Sequence, residues 1–215
     1  MTIRWLFFVL LLAAPAAWSD TVPPQGPGGR AELWLMVTHW PSLGQVSPEL
    51  GGRFDTVGFG LGGALYLTVR ELATSDLLVG IDGFIAANDS NVRGVFDDLL
   101  ARQFYLGAAA KWAFGEERSV SLDAGIGYHL VDMAEVGDAW SSYEREAWET
   151  DRASAYLGAT WDLPSASLGS PGRWMLGVKV YFTDFGTVNG FWPIGPDAGK
   201  LDGPLYTMQI GYGVR

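Results

Sequence analysis

The sequence contains no cysteine among its 215 residues. This excludes a disulfide framework, and it also excludes a lipid anchor on a cysteine that follows an export signal. Long apolar runs are missing as well. The run from Trp5 to Ala14 is shorter than the roughly 20 residues that a spanning helix needs, and no other stretch reaches that length. If the chain enters a membrane, it must therefore do so with β-strands.

Basic residues are scarce, with 14 Lys+Arg against 24 Asp+Glu and a net charge of −10. Binding to nucleic acid requires a basic surface that neutralises phosphates, so we exclude nucleic acid as a partner. Histidine is rare too, since the chain has only His39 and His129. Asp89, Asn91 and Gly94 resemble part of a calcium loop, but Leu100 stands where the bidentate acid should be. The sequence predicts no metal site and no cofactor.

The first 19 residues have the composition of an export signal. Arg4 supplies the positive charge, Trp5 to Ala14 the apolar run, and Ala17-Trp18-Ser19 a cleavage site of small residues around a larger one. Residues 20–30 are rich in proline and glycine and predict a flexible leader. Residues 31–215 are then long enough for one domain.

What the sequence does contain is alternation, most clearly from Thr56 to Arg70. Successive side chains of a strand point to opposite faces, so this stretch has one large apolar face and one small or polar face. Its large face carries Val57, Phe59, Leu61, Leu65, Leu67 and Val69. Neither face carries a charge before Arg70, whereas a soluble strand would place charges on its outer face. A strand with lipid on one side and a filled lumen on the other fits this pattern.

Seven further segments alternate in the same way, which gives about eight strands. The first, from Ala31 to Trp40, is assigned with Leu33, Leu35 and Val37 outward because Glu32 lies on the other face. Connections of different length alternate along the chain, and the long ones cover residues 41–55, 88–99, 131–151 and 184–204. Short turns on one side and long loops on the other are typical of barrels that cross the outer membrane.

The predicted fold is therefore all-β, a transmembrane up-and-down antiparallel β-barrel of about eight strands. Outward aromatic residues mark both water–lipid boundaries of such a barrel. Those at the short-turn end are Trp112, Phe114, Trp161, Trp174 and Tyr212, and those at the long-loop end are Tyr128, Phe182 and Tyr206. The alternative is a soluble secreted barrel of the lipocalin type. Its outer face would then be glycine-rich and nearly uncharged, which disfavours it.

The pattern from Ala31 to Arg215 resembles the small eight-stranded outer-membrane barrels, the OmpA/OmpX-type group and its porin-like relatives. The resemblance implies an outer-membrane location, contact with outer-membrane lipid and lipopolysaccharide, insertion by the outer-membrane assembly machinery, and a monomer. Such barrels commonly end in an outward aromatic residue. This chain ends in Arg215, with Tyr212 as its nearest aromatic residue.

Six charged residues fall on inward positions of the predicted strands. They are Arg70, Asp82, Lys111, Asp123, Asp162 and Lys179. Both signs are present, and unpaired charges inside a narrow barrel would be costly, so a paired polar network that plugs the lumen is expected. The alternative is a gated path for small ions. A barrel of about eight strands has room for little more than its own side chains, which favours the plug.

His129 is placed at the long-loop rim, where it is expected to hydrogen-bond or to bind a partner. Some barrels of this size modify lipid A, and His129 could act there with Asp132 and with Ser141 or Ser142. No His/Ser motif of fixed spacing supports that reaction, so the sequence predicts no catalytic residue and no enzyme.

Two apolar clusters lie on the long loops. Trp140, Tyr143 and Trp148 share one face of a possible short helix, and Phe191 and Trp192 belong to the last loop. They are expected to pack together as a lid over the barrel mouth, and the alternative is a surface binding site. The predicted function is structural or surface-interacting, and the alternatives are passive porin-like transport of small solutes or modification of lipid A.

Overall fold

The computed structural model describes residues 28–47, 53–90, 97–137, 144–163, 172–190 and 194–214. Eight strands form a closed barrel in which each strand pairs antiparallel with its neighbour in the chain and the last pairs with the first. The strands are β1 Gly29–His39, β2 Val57–Glu71, β3 Ser75–Asn88, β4 Asp97–Phe114, β5 Val120–Gly137, β6 Glu144–Asp162, β7 Gly172–Val188 and β8 Gly199–Val214. The predicted fold is confirmed.

The two faces of the strands follow the predicted alternation. In β1 the side chains of Leu33 and Leu35 are 53% and 66% exposed, whereas those of Trp34 and Met36 are buried. The outward face of β2 is equally apolar, and Phe59 is 71% exposed. An apolar surface of this extent is unfavourable in water. It is the lipid-facing surface of a transmembrane barrel.

Helical structure in the described residues is limited to two short 3-10 segments, Pro41–Gln45 and Glu116–Arg118. Within those residues, no helix has the length and the apolar character required to traverse a bilayer.

The strands on the long-loop side are longer than the sequence predicts. Residues 131–151 were expected to form a loop with a short helix, but β5 continues to Gly137 and β6 begins at Glu144. Trp148 lies in β6 and pairs with Met133 of β5, so the helix prediction is wrong at that residue. Apolar residues spaced for a helix and for a strand are hard to distinguish over so few positions, and here the backbone pairing of the hairpin decides.

The ladder between β6 and β7 stops where the outer aromatic residues begin. These strands pair from Asp162↔Met175 up to Ala155↔Phe182, whereas β6 remains paired with β5 up to Val136↔Glu144. Above Phe182, β7 pairs with β8 as far as Val188↔Gly199. Within the described residues, β6 from Glu144 to Ser154 therefore has a strand on one side only. We call this stretch the free edge of β6.

Gly80 on the inner face of β3 marks a point where two strands approach closely. A Cβ atom built there would overlap the carbonyl oxygen of Leu65 and would lie 2.8 Å from the Cα of Tyr66. We expect Gly80→Ala to lower the free energy of unfolding by roughly 2–3 kcal/mol, because rigid backbone cannot move aside. Unfolding in urea from lipid vesicles would measure the loss.

Gly177 is the matched control, since a Cβ atom there would lie 3.2 Å from Oε1 of Gln209, 3.3 Å from Oγ1 of Thr160 and 3.6 Å from the carbonyl oxygen of Ala159. Gly177→Ala should cost less than about 1 kcal/mol. Equal losses for the two variants would show that the close approach at Gly80 does not limit stability.

Candidate functional site

A continuous chain of ion pairs fills the short-turn half of the lumen. The guanidinium of Arg30 donates two hydrogen bonds of 2.6 Å to Asp162, and its Nε lies 2.5 Å from Oε1 of Glu32. Glu32 also accepts a hydrogen bond of 2.7 Å from Lys111, whose Nζ is 3.2 Å from Asp123. Strands β1, β4, β5 and β6 all contribute to this chain, so it links opposite walls of the barrel.

A second ion pair lies beside this chain. Lys179 of β7 donates a hydrogen bond of 2.7 Å to Asp82 of β3. The Nζ of Lys179 also lies 4.8 Å from the ring centroid of Trp34 and 4.4 Å from that of Tyr156. Aromatic rings attract a cation over their faces, so Lys179 is held by a carboxylate and by two rings. The side chain of Lys179 is 3% exposed, so bulk solvent hardly reaches it.

An aromatic layer follows toward the long-loop end. Tyr105 and Tyr181 have ring centroids 5.0 Å apart, and Phe84 packs against them at 5.7 and 5.3 Å. The ring of His129 contacts the same layer, 5.6 Å from Phe84. The edge-to-face arrangements of several of these rings are favourable and fill space densely.

Residues of the first long loop that the structure describes close the barrel above that layer. Trp40 is fully buried and lies edge-to-face with Phe185 of β7 at 5.5 Å. The 3-10 turn that follows Trp40 buries Leu43, and the backbone N–H of Ser47 donates to the carbonyl of Ala198 in the last loop. We call this apolar cluster the lid: it comprises Trp40, Leu43, Val46, Phe54, Phe185, Val188, Ile194 and Leu201. The described part of the predicted long connection at residues 41–55 therefore contributes three buried apolar side chains, those of Leu43, Val46 and Phe54.

The lumen charges of the described residues are paired, with one carboxylate more than there are cations. Three cations, Arg30, Lys111 and Lys179, face four carboxylates, and each charged group has an opposite charge within 3.2 Å. The carboxylates are those of Glu32, Asp82, Asp123 and Asp162. Paired in this way, the buried charges connect the strands to one another, and within the described residues no member of this network is exposed to attract a solute ion. In the described ranges, no group of His, Asp and Glu side chains is arranged to hold a metal ion.

Five of the six charged residues that the sequence placed in the lumen are buried there. They are Asp82, Lys111, Asp123, Asp162 and Lys179. Lys111 and Asp123 are register partners across the β4–β5 hairpin, as their spacing around the turn predicts.

Arg70 is the exception, because it lies on the exposed end of β2. The pairing of β2 with β3 passes from Thr68↔Leu78 to Arg70↔Leu77, so Val69 is an extra residue in a β-bulge. A bulge changes the inward and outward alternation beyond it. The partner of Asp162 is Arg30.

Arg30 and Glu32 belong to the lumen network but were not among the predicted residues. The sequence assigned Arg30 to the leader, whereas β1 begins at Gly29. A signal was available, because Arg30 and Glu32 are separated from Trp34 by even numbers of residues. The three side chains therefore share one inward face of β1.

His129 lies beneath the lid and not at an open rim. It is fully buried, and its Nδ1 is 3.3 Å from the hydroxyl oxygen of Ser154 on β6. Asp132, the acid considered with it, forms two hydrogen bonds of 2.7 Å with Arg102 on β4. Ser141 and Ser142 lie outside the described residues. The described part of the proposed His129 site therefore does not assemble.

The predicted loop residues are only partly described. Trp148 is buried and lies in the same apolar core as the lid residues. Trp140, Tyr143, Phe191 and Trp192 lie outside the described residues, so their part in a lid or a binding site stays a prediction.

No family model and no curated protein matches the sequence. Among solved structures, the chain is similar to the attachment invasion locus protein Ail of Yersinia pestis, with 11% identity and a TM-score of 0.47 over 86% of this chain and 97% of that one. It is similar to Neisserial surface protein A, with 11% identity and a TM-score of 0.44 over 88% and 99%. A third is outer membrane protein OprG from Pseudomonas aeruginosa, with 12% identity and a TM-score of 0.42 over 88% and 97%. At these identities and TM-scores, the similarity says nothing about what this chain binds.

Proposed function

We propose that this protein is a non-conducting barrel of the outer membrane that holds an extracellular β-structure in place for contact with other molecules. The observation that carries the proposal is the filled lumen. The ion pairs around Lys111, the aromatic layer around Tyr105 and the lid around Trp40 follow one another along the barrel. Among the residues that the structure describes, these three layers leave no continuous path for metabolites, which argues against a porin.

The outer surface supports the location. Outward aromatic residues at the short-turn end include Trp112, Trp161 and Trp174, which are 49%, 54% and 56% exposed. Tyr128 and Phe182 stand at the opposite end. Such belts place the strands between them in hydrocarbon, in contact with outer-membrane lipid and lipopolysaccharide. We infer further that the export signal at residues 1–19 brings the chain to the assembly machinery, that the barrel acts as a monomer, and that it is not an enzyme.

The proposal predicts negligible conductance. Purified protein, inserted into planar bilayers at neutral pH, should produce no stable single-channel steps above the bilayer baseline, because paired charges and rings occupy the bore. A general porin measured in the same bilayers is the positive control. Heat-dependent mobility on gels should verify that the inserted sample is folded.

Large, stable, ohmic steps from the folded sample would overturn the proposal. They would favour passive transport of small solutes, with Asp82, Lys111 and Lys179 lining a pore.

A further inference from the structure

The imidazole of His129 lies directly beneath the lid. The ring of Trp40 is stacked on it with centroids 6.3 Å apart, and the ring of Phe185 lies edge-to-face with it at 5.2 Å. Rings of the aromatic layer lie within 6.2 Å of it as well, and they are those of Phe84, Tyr105 and Tyr181. His129 is 0% exposed, so water reaches its imidazole only after the lid has moved.

Among the residues that the structure describes, only one of the two imidazole nitrogens has a hydrogen-bonding partner. Nδ1 of His129 lies 3.3 Å from the hydroxyl oxygen of Ser154, whereas Nε2 is buried without a partner. A neutral imidazole with its proton on Nδ1 donates to Ser154 and leaves only a bare nitrogen unpaired. An imidazolium has an N–H group at both positions, so it would bury a charged donor without an acceptor.

No carboxylate in the described ranges of the chain faces this imidazole. The titratable groups that face it are the phenols of Tyr105 on β4 and Tyr181 on β7, and neither is an anion at neutral or acid pH. On β6 the register partner of His129 is Arg152, which is a cation. The other rings packed on the imidazole are uncharged, and they are those of Trp40, Phe84 and Phe185. An imidazolium at this place would therefore lack a counter-ion.

Two acids that lie nearby in the barrel are already paired with other cations. Asp132, further along β5, accepts two hydrogen bonds of 2.7 Å from Arg102. Asp82 on β3 accepts one of 2.7 Å from Lys179. Either acid would have to give up its own partner to neutralise His129, so neither one offsets the cost of a buried imidazolium.

From this arrangement we infer that His129 makes the lid sensitive to acid, because the lid packs only on the neutral imidazole and protonation opens it. Opening turns apolar side chains of the lid toward water, Trp40 and Leu43 among them. The long-loop end of the barrel therefore presents an apolar surface in acid and hides it at neutral pH. This inference goes beyond the surface role proposed above, to which it adds a condition.

The direction and size of the effect follow from proton linkage. In the open lid the imidazole is in water, where histidine takes up a proton below about pH 6.5. In the closed lid the surroundings of His129 exclude that proton. The closed lid therefore has its full stability above about pH 6.5, and below it the equilibrium constant for opening rises about tenfold for each pH unit. From about pH 7.5 to about pH 5 the expected rise is about thirtyfold.

The test follows two backbone hydrogen bonds within the lid region. The N–H of Ser47 donates to the carbonyl of Ala198 at 2.8 Å, and the N–H of Ala198 donates to that of Val188 at 3.1 Å. These amides exchange with deuterated water when the lid opens, so their protection gives the opening constant. Exchange is measured on the full mature protein in nanodiscs at about pH 7.5 and about pH 5, with correction for the intrinsic pH dependence of exchange. Wild-type protection should fall about thirtyfold.

The two histidines of the chain provide a matched control. His39 is exposed and stacks on Tyr206, away from the lid, so His39→Asn should keep the thirtyfold response. His129→Asn removes the titrating group but keeps a side chain that can hydrogen-bond to Ser154, and its response should be less than about threefold. His129→Phe, which preserves a ring in the aromatic layer, should behave in the same way. Heat-dependent mobility on gels identifies the variants that fold.

A response below about threefold in the wild type would overturn the inference, and so would a thirtyfold response in a folded His129 variant. Loss of the response in His39→Asn would overturn it too, because a histidine outside the lid would then be the titrating group. The readout is exchange at the lid and not current. A conducting barrel that shows the His129-dependent response would therefore overturn the proposed function alone, and a silent barrel without the response would overturn this inference alone.

Discussion

Asp82→Ala is expected to lower the free energy of unfolding by about 3–5 kcal/mol, because it leaves the buried ammonium of Lys179 without its carboxylate. The pair is 2.7 Å apart and both side chains are almost wholly inaccessible to water. Trp34 and Tyr156 stabilise the cation through their ring faces, but rings do not neutralise a charge. Chemical denaturation from lipid vesicles, followed by tryptophan fluorescence, measures the effect.

The double variant Asp82→Ala with Lys179→Met is the control. Replacing both members of a buried ion pair by apolar groups is often close to neutral, so the double variant should be more stable than Asp82→Ala alone. A loss below about 1 kcal/mol in Asp82→Ala would mean that water solvates Lys179 inside the lumen. That result would contradict a filled bore as well as the predicted loss of stability.

The Asp82–Lys179 pair could be predicted from the sequence because strand alternation fixes two properties at once. The alternation of side chains places both residues inside the barrel. Their distances from the short turns place them at similar positions along the barrel axis, on β3 and β7. The same reasoning predicts the register partners Lys111 and Asp123, since a tight turn sets the pairing of a hairpin. It also predicts which side of every strand faces lipid.

Arg70 and Arg30 show where this reasoning fails. Alternate residues face opposite sides only while the strand pairing is regular. The bulge at Val69 has no signal in the sequence that would distinguish it from continuous strand. The assignment also requires the first residue of the strand. The glycines before Arg30 made the start of β1 resemble the leader. As a result, the sequence listed Arg70 in the lumen network and omitted Arg30, which is the partner of Asp162.

The lid could not be predicted for a different reason. Its residues come from the first loop, β7, the last loop and β8, and no periodicity relates Trp40 to Phe185 or Leu43 to Leu201. Local sequence patterns report which side of one element is apolar. Contacts between segments that are distant in sequence depend on the closed barrel, so they can be predicted only after the strand order and register are known.

Trp40→Ala is expected to lower the free energy of unfolding by about 3–5 kcal/mol, the usual range for removing a buried tryptophan. Trp40 is 0% exposed and packs on Phe185, with His129 stacked on it at 6.3 Å. The truncation leaves a cavity that the surrounding β-structure, fixed by its backbone pairing, cannot close. Trp174→Ala is the matched control, because Trp174 is 56% exposed on the lipid-facing surface, and its loss should be smaller.

The same variant separates the lid from the layers beneath it. Although Trp40→Ala loosens the lid, Phe84, Tyr105 and Tyr181 still close the lumen below, and Lys111 and its partners close it again. Trp40→Ala should therefore remain silent in planar bilayers while losing stability in denaturant. Stable ohmic steps in Trp40→Ala, together with a silent wild-type barrel, would identify the lid as a gate and would show that the aromatic layer and the ion pairs leave a conducting path.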